Sequence, residues 1–348
     1  MNDHMNAAGS FRRRSALTGV LVLFATMGPA AFAAEAEAPP SPQPQAATAL
    51  RVAVHAHTSI STGTQAPEQA AASFKQAGIE AIIFTDSLKR RWEFGIRPLQ
   101  ALVKYAVEQP SVLRYGAANY LKRVQALNGP GSPLAIAGIE AAPFYYWARS
   151  PFDRRGGQIR NWQQHLLVFG SNDAKRLAAL PIEKFSAYDG DQGALPYQTF
   201  IDAVVDTGAL VFWAHPMTGH LGHHGRVEDF TEPYPHLLKT TSGYHGFALT
   251  YLGYLSLVDA GGIWDQLLAE YTRGARARPV WIIGELDWRG TERPCDAVLT
   301  RVLAQDRTES GILDAIRNAG KPCGRNYARY TDQGWNGFRY SRVRRRSV

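Results

Sequence analysis

The sequence predicts an α/β fold, either a closed barrel or an open parallel sheet, from three observations. Short β-branched runs alternate with helical stretches from Leu50 onward, the alternation continues without an internal sequence repeat, and polar residues close the apolar runs at corresponding places. A strand, helix, strand order of this spacing requires a parallel pair joined by a crossover helix.

The elements follow in order. RVAVHAH (51–57) reads as a strand, PEQAAASFKQAG (67–78) as a helix with Pro67 in its first turn and Gly78 at its stop, and IEAIIFTD (79–86) as the next strand. LAIAGIE (134–140) is a third strand. The helix and strand pair recurs in residues 197–216 and again in 263–287. Two stretches interrupt the pattern: the aromatic, helix-prone residues 88–133 and residues 141–163, which contain FYYWARSPFDRRGG. Both read as insertions that form a lid or pocket wall, with surface padding as the alternative.

Composition excludes several classes. The chain has 348 residues, 45% of them hydrophobic and 20% charged, which rules out disorder, collagen and coiled coil as its main character. Two cysteines, Cys295 and Cys323, cannot build a disulfide scaffold or a cysteine-rich zinc module. They leave open one disulfide in an oxidising compartment. Any metal must then be held by His, Asp and Glu.

The net charge of +8 resides mostly at the two ends. Arg12, Arg13 and Arg14 against Asp3 give one end its excess, and Arg339, Arg342, Arg344, Arg345 and Arg346 give the other. The body is nearly neutral, so no nucleic-acid groove is expected. FRRR, the apolar run Ala16 to Phe24 and the Ala31-Phe32-Ala33 site together read as a secretory signal peptide over 1–33. The adjacent arginines also permit twin-arginine export. Residues 34–49 then read as a disordered linker, 50–330 as one domain, and 331–348 as a solvated basic tail. No later run reaches the roughly 18 apolar residues of a membrane span, so a periplasmic or secreted protein is expected.

The chemistry is expected at the strand ends. His55 and His57 close the first strand, Asp86 the second, Glu140 the third, His215 the fifth and Asp287 the seventh. In parallel α/β architectures these ends converge on one face. A His-x-His pair on a regular strand puts both imidazoles on one side, about 7 Å apart, which suits two ligands of one ion. His220, His223 and His224 fall in a glycine-broken stretch after His215 and read as a solvated loop or as a nearby ligand or proton donor. Phe144, Tyr145, Tyr146 and Trp147 read equally as pocket wall or as packing of the insertion.

In order, VHAHTS, IIFTDS, AGIE, QHLLVFG, FWAHP and GELDWRG resemble the motifs HxHT, TDH, GxE, HLLG, HP and SDxH of the PHP (polymerase and histidinol phosphatase) domain. The resemblance runs from about residue 50 to 325, and its last part looks like the family's exported, stand-alone branch. It implies a distorted TIM-like βα barrel that hydrolyses phosphoesters with divalent zinc, manganese or iron. Carried over, it makes His55, His57, Glu140 and Asp287 the ligands of one ion and Glu140, His165 and His215 those of a second, with Glu140 bridging. Where the family holds third-site ligands this chain has Gly63, Ser87 and Arg289.

The resulting expectation is an exported hydrolase with a dinuclear centre of two divalent ions acting through metal-bound hydroxide on a small anionic or ester substrate. Arg289 is expected to bind a substrate anion where the third ion would stand, or else to form a salt bridge with Asp86 or Glu285. Asp86 is grouped with it as a catalytic candidate. A carboxylic or carbamate ester hydrolase and a non-catalytic binding protein are the alternatives.

Overall fold

Thr48–Ala56 forms β1, whose last five residues are all buried. In the computed structural model the described residues are 47–100, 102–182, 190–250, 255–290, 292–318 and 326–330. The expected signal peptide, most of the linker, Cys323 and the basic tail lie outside them. The strand starts at Thr48 and so takes in the last two residues of the expected linker.

Helix α1 (Pro67–Gln76) opens with proline, whose missing N–H has no helical partner at that position, and the Gln69 side chain accepts the Ala66 N–H at 3.0 Å. β2 (Ala81–Phe84) lies parallel to β1. The next stretch was expected to be a helical insertion, but it begins with an antiparallel hairpin, β3 (Arg91–Gly95) and β4 (Lys104–Glu108). Alternating Trp92 and Phe94, both buried, explain why these residues pair as strands. Short α2 (Val112–Tyr115) and α3 (Ala117–Gln125) follow. They are part of the barrel wall: Val112, Tyr120 and Val124 are in the main core, and the Tyr120 hydroxyl donates to the Gly138 carbonyl at 2.7 Å. The hairpin packs instead in a separate cluster, where Trp92 and Phe94 join Trp147, Ile159 and Trp162.

β5 (Leu134–Ala141) is parallel to β2, and β6 (Tyr146–Arg149) and β7 (Gly157–Arg160) occupy the second insertion. β8 (Leu166–Phe169) runs antiparallel to β5. After α4 (Ala174–Ala179) and α5 (Leu195–Val205), β9 (Leu210–Trp213) runs antiparallel to β8 and so regains the direction of β1. β10 (His220–His224) and β11 (Val227–Thr231) form a hairpin where a loop was expected. β11 pairs with β7, giving a small sheet in the order β10-β11-β7-β6. Then come α6 (His236–Thr240), β12 (Gly246–Leu249), α7 (Ile263–Thr272), β13 (Trp281–Gly284), β14 (Val298–Ala304), α8 (Glu309–Arg317) and β15 (Asn326–Tyr330).

The large sheet has the order β13-β12-β9-β8-β5-β2-β1-β14-β15. The residues after β13 close it on β1. Leu286 and Trp288 donate backbone N–H to the Val54 and His55 carbonyls at 2.8 and 3.0 Å, and His57 donates to the Trp288 carbonyl at 2.8 Å. The first half of β1 pairs instead with β14, antiparallel. The result is an α/β barrel of seven strands with one reversed. Both strand faces are apolar, as covered sheets require. Val52, Val54, Ile83, Ile136, Leu167, Phe212 and Ile283 share one cluster with Ile312 and Ile316 of α8, while Ala53, Ile82, Ile139, Val168, Val211 and Phe247 meet the surrounding helices. Among the described residues no helix is long and apolar enough to cross a membrane.

Candidate metal centre

The strand ends bring six polar side chains to one rim. His55, His57, Glu140, His165 and His215 are at most 9% exposed, and Asp287 joins them with its side chain 21% exposed. Glu140 Oε1 lies 2.7 Å from His165 Nδ1, 3.1 Å from His55 Nε2 and 3.7 Å from His215 Nε2. Its other oxygen is 3.5 Å from His57 Nε2. Asp287 Oδ1 is 3.7 Å from His55 Nε2 and 3.5 Å from His57 Nε2. Donors of a tetrahedral ion with bonds near 2.0–2.1 Å stand about 3.3 Å apart. These spacings cluster around that value.

Backbone geometry builds this convergence. β1 carries an irregularity between Val54 and Ala56, and His55 there has a φ of 70°. The regular-strand spacing expected for His55 and His57 is therefore replaced by an Nε2 to Nε2 distance of 3.0 Å. His215 and Asp287 are also left-handed, with φ of 26° and 43°. Non-glycine residues with positive φ are uncommon and concentrate at functional sites. His165 opens its strand where the other candidates close theirs. Because β8 is antiparallel, its start lies on the same rim as the ends of β5 and β9.

Hydrogen bonds behind the rim fix the imidazole tautomers. His55 Nδ1–H donates to Glu285 Oε2 at 3.1 Å, and the other Glu285 oxygen accepts the His215 N–H at 2.9 Å. His57 Nδ1–H donates to Ser61 Oγ at 3.2 Å, whose hydroxyl donates to Asp86 at 2.6 Å. His215 Nδ1–H donates to the Tyr234 oxygen at 3.1 Å, and the Tyr234 hydroxyl donates to the Ala214 carbonyl at 2.7 Å. Each arrangement turns Nε2 toward the cluster, where a metal ion could take the place of a proton. Such second partners are what orient metal-binding histidines. Nothing in the spacing of the sequence singles out Ser61 or Tyr234; Glu285, an acid ending the apolar run WIIGELD, is the one signal that was available.

The carboxylates of the cluster attract positive charge. Glu140 Oε1 and His165 Nδ1 are buried without a hydrogen-bond partner despite their closeness, a state that buried polar atoms rarely tolerate. Although burial disfavours their charged forms, Glu140 and Asp287 lie well below the usual carboxylate range, Glu140 because of His165 and His57 and Asp287 because of His57, His55 and Arg289. His55 is driven the other way: against the cost of burial, Glu140 and Glu285 raise it to about 10. A cation is strongly favoured at this position. Burial lowers His165, with Glu140 beside it pulling the other way. Three overlapping groups meet the requirements of a metal ion: His55, His57 and Asp287; Glu140, His165 and His215; and His55, His215 and Glu285.

The remaining candidates take other places. Asp86 is fully buried and accepts from the Thr58 N–H, the Thr58 hydroxyl and Ser61, so it positions the His57 loop and is closed to substrate. Arg289 pairs with neither Asp86 nor Glu285. Its guanidinium forks onto Asp287, with Nε 3.1 Å and Nη2 3.4 Å from the two carboxylate oxygens. Ser87 donates its hydroxyl to Glu140 Oε2 at 3.2 Å. A Cβ on Gly63 would meet the His57 carbonyl oxygen at 2.4 Å, so any side chain there would force the backbone to shift.

Two cavities, of about 130 and 190 Å³, flank the cluster and share Gln163, His165, His220 and Arg289. His220 and His224 do not join the six. Their Nε2 atoms lie 3.3 and 3.9 Å from Asp229, which is fully buried and accepts from Gln163 at 2.6 Å. His223 alternates to the opposite side of β10. Tyr145 and Trp147 hydrogen-bond the backbone of Glu93, so they pack the insertion against β3, and Trp162 is the aromatic that lines the cavity.

No family model and no curated protein matches the sequence. Among solved structures the chain is similar to a two-domain protein from Bacteroides vulgatus containing a predicted PHP-like metal-dependent phosphoesterase, at 15% identity and a TM-score of 0.42 over 82% of this chain. The chain spans 65% of that protein's length. It is also similar to an amidohydrolase from Chromobacterium violaceum with bound sulfate and no metal, at 12% identity and a TM-score of 0.35, over 70% of this chain and 89% of the other.

Proposed function

We propose that this chain is an exported metal-dependent hydrolase of the PHP type that cleaves a small anionic phosphoester with two divalent ions. The observation that carries the proposal is the convergence of imidazole nitrogens on Glu140 Oε1, which is buried without a hydrogen-bond partner between His55 and His165. His55, His57, Glu140 and Asp287 would hold one ion, and Glu140, His165 and His215 the other. A centre held this way would supply an activated water at neutral pH and Lewis-acid polarisation of the ester oxygen.

The chain's own groups prepare the site. Glu285, Ser61 and Tyr234 hold the Nδ1 protons of His55, His57 and His215, so the Nε2 atoms stay open. Ser87 and Arg289 steady the two carboxylates. Lys89, Arg90 and Arg289 line the cavity beside the cluster and supply the positive charge that an anionic substrate needs. That cationic lining favours a phosphoester over a neutral carboxylic ester. Export rests on the basic, apolar and small-residue pattern of residues 1–33.

The test combines metal analysis of the purified chain with hydrolysis of 4-nitrophenyl phosphate, bis(4-nitrophenyl) phosphate and 4-nitrophenyl acetate. Turnover of a phosphoester, lost with chelator and restored by metal, supports the proposal. Turnover of the acetate alone points to a carboxylic ester, and a metal-free inert protein rules out both enzymes.

A further inference from the structure

Arg90 and Arg91 are neighbours in sequence with opposite surroundings. Arg91 faces Glu93 and Glu108, with N to O distances of 2.5 and 3.0 Å. Arg90 turns into the smaller cavity beside the cluster, where its guanidinium lies over the Trp162 ring, 5.7 Å from the centroid. The residue is half-buried, and its side chain makes no hydrogen bond or ion pair among the described residues. Glu140 and Asp229 attract it only from a distance, and Arg289 repels it.

A guanidinium presents five donors, and removing them from water without acceptors is unfavourable. The planar fork matches a carboxylate or phosphoryl group bidentately, and the indole face holds its plane in place. Glu140 and His165 line the same cavity of about 130 Å³, so one small molecule inside it touches both the cluster and Arg90.

We infer that Arg90, stacked on Trp162, is a specificity-determining residue that binds a second anionic group of the substrate, on the side away from the bond that breaks. This rests on the hydrolase proposed above. A carboxylate and a phosphoryl group share the paired anionic oxygens that the fork requires.

The test is calorimetric binding of three non-hydrolysable probes to the full, metal-loaded chain: phenylphosphonate, 4-carboxyphenylphosphonate and 1,4-benzenediphosphonate. The native chain should prefer at least one doubly anionic probe over phenylphosphonate by about tenfold or more, the range of a charge-assisted bidentate contact. The larger preference identifies the anion. Arg90→Ala should abolish it, and Arg90→Lys should keep only part, since it retains charge without the fork. Equal binding of all three probes by the native chain, no binding of any, or an undiminished preference in Arg90→Ala overturns the inference. Hydrolysis of 4-nitrophenyl phosphate, measured in parallel, reports separately on the hydrolase itself.

Discussion

His165 Nδ1 stands 2.7 Å from Glu140 Oε1, although one residue opens its strand and the other lies near the end of its own. The reversal of β8 makes this meeting possible, and through it the carboxylate reaches histidines from three separate strands.

Glu140→Gln should therefore cost more than any single histidine substitution. The change removes one charge from both proposed ion sites while keeping the size of the side chain. Expected are a fall in bound metal below one ion per chain and a rate loss of about a thousandfold, an effect of the size seen when a group acting on charge in the transition state is removed. Metal content and kcat of Glu140→Gln beside His57→Ala and His215→Ala check this ordering.

Asp86→Asn tests the relay behind His57. It keeps the shape but weakens acceptance from Ser61 and Thr58, so the His57 ring loses its fixed orientation. Metal affinity should fall by about 10- to 100-fold, as is usual for outer partners of a ligand. A competition titration with a coloured chelator measures it, and an unchanged affinity would show that the relay serves only the fold.

Gly63→Ala should destabilise the loop that carries His57. Its new methyl would press on the His57 carbonyl and the Thr58 Cα, both backbone atoms that cannot swing away. A loss of about 1–3 kcal/mol is expected from overpacking. Thermal unfolding reads the loss, and the metal analysis should show a weakened site. Gly63→His should likewise fail to create a third metal site.

His245 provides an acid-sensitive point on the barrel, away from the metal cluster. Burial, with Arg278 and Arg317 nearby, lowers it to about 3, while its Nδ1 accepts the Val211 N–H at 3.2 Å. The unfolded chain takes up this proton near pH 6.5 and the folded chain does not. Its contribution to stability is thus complete above pH 6.5 and declines as the pH falls toward 3, by at most about 1.4 kcal/mol per pH unit. His245→Asn should flatten that decline in denaturant midpoints measured from pH 7 to 4. Equal slopes in the two proteins would remove the residue from the account.

Local patterning revealed the barrel strands that are apolar on both faces, because runs such as AIIF and LAIAGIE have no other stable use. It did not reveal direction. Nothing in LLVF distinguishes a reversed strand from a parallel one, and hydrogen bonding to β5 and β9 decides it. The polar ends at His55, His57, Glu140, His215 and Asp287 were visible because charged or ionisable groups rarely close buried strands without a purpose. Their actual spacing was not visible, since it depends on the bulge at His55. Residues 88–133 were legible only in part: α2 and α3 are helical and Lys89 and Arg90 do wall the cavity, but the hairpin was not visible. Their helix-prone composition hid the alternation of Trp92 and Phe94, and Tyr120 shows that the helical part is barrel wall. The hairpin at His220–His224 read as a loop because of Gly222, yet a Cβ there would meet His220 Nε2 at 2.6 Å, so the glycine makes room for that ring beside Asp229.

In the proposed centre two ions share Glu140. Metal analysis of the purified chain by plasma mass spectrometry, together with a crystal structure whose anomalous signal is recorded at the metal edge, addresses it directly. Two ions per chain are expected, one on each side of the Glu140 carboxylate, the first also held by His55, His57 and Asp287 and the second by His165 and His215. A single ion, a third one beside Ser87 and Arg289, or a metal-free cluster after incubation with zinc, manganese and iron would contradict it.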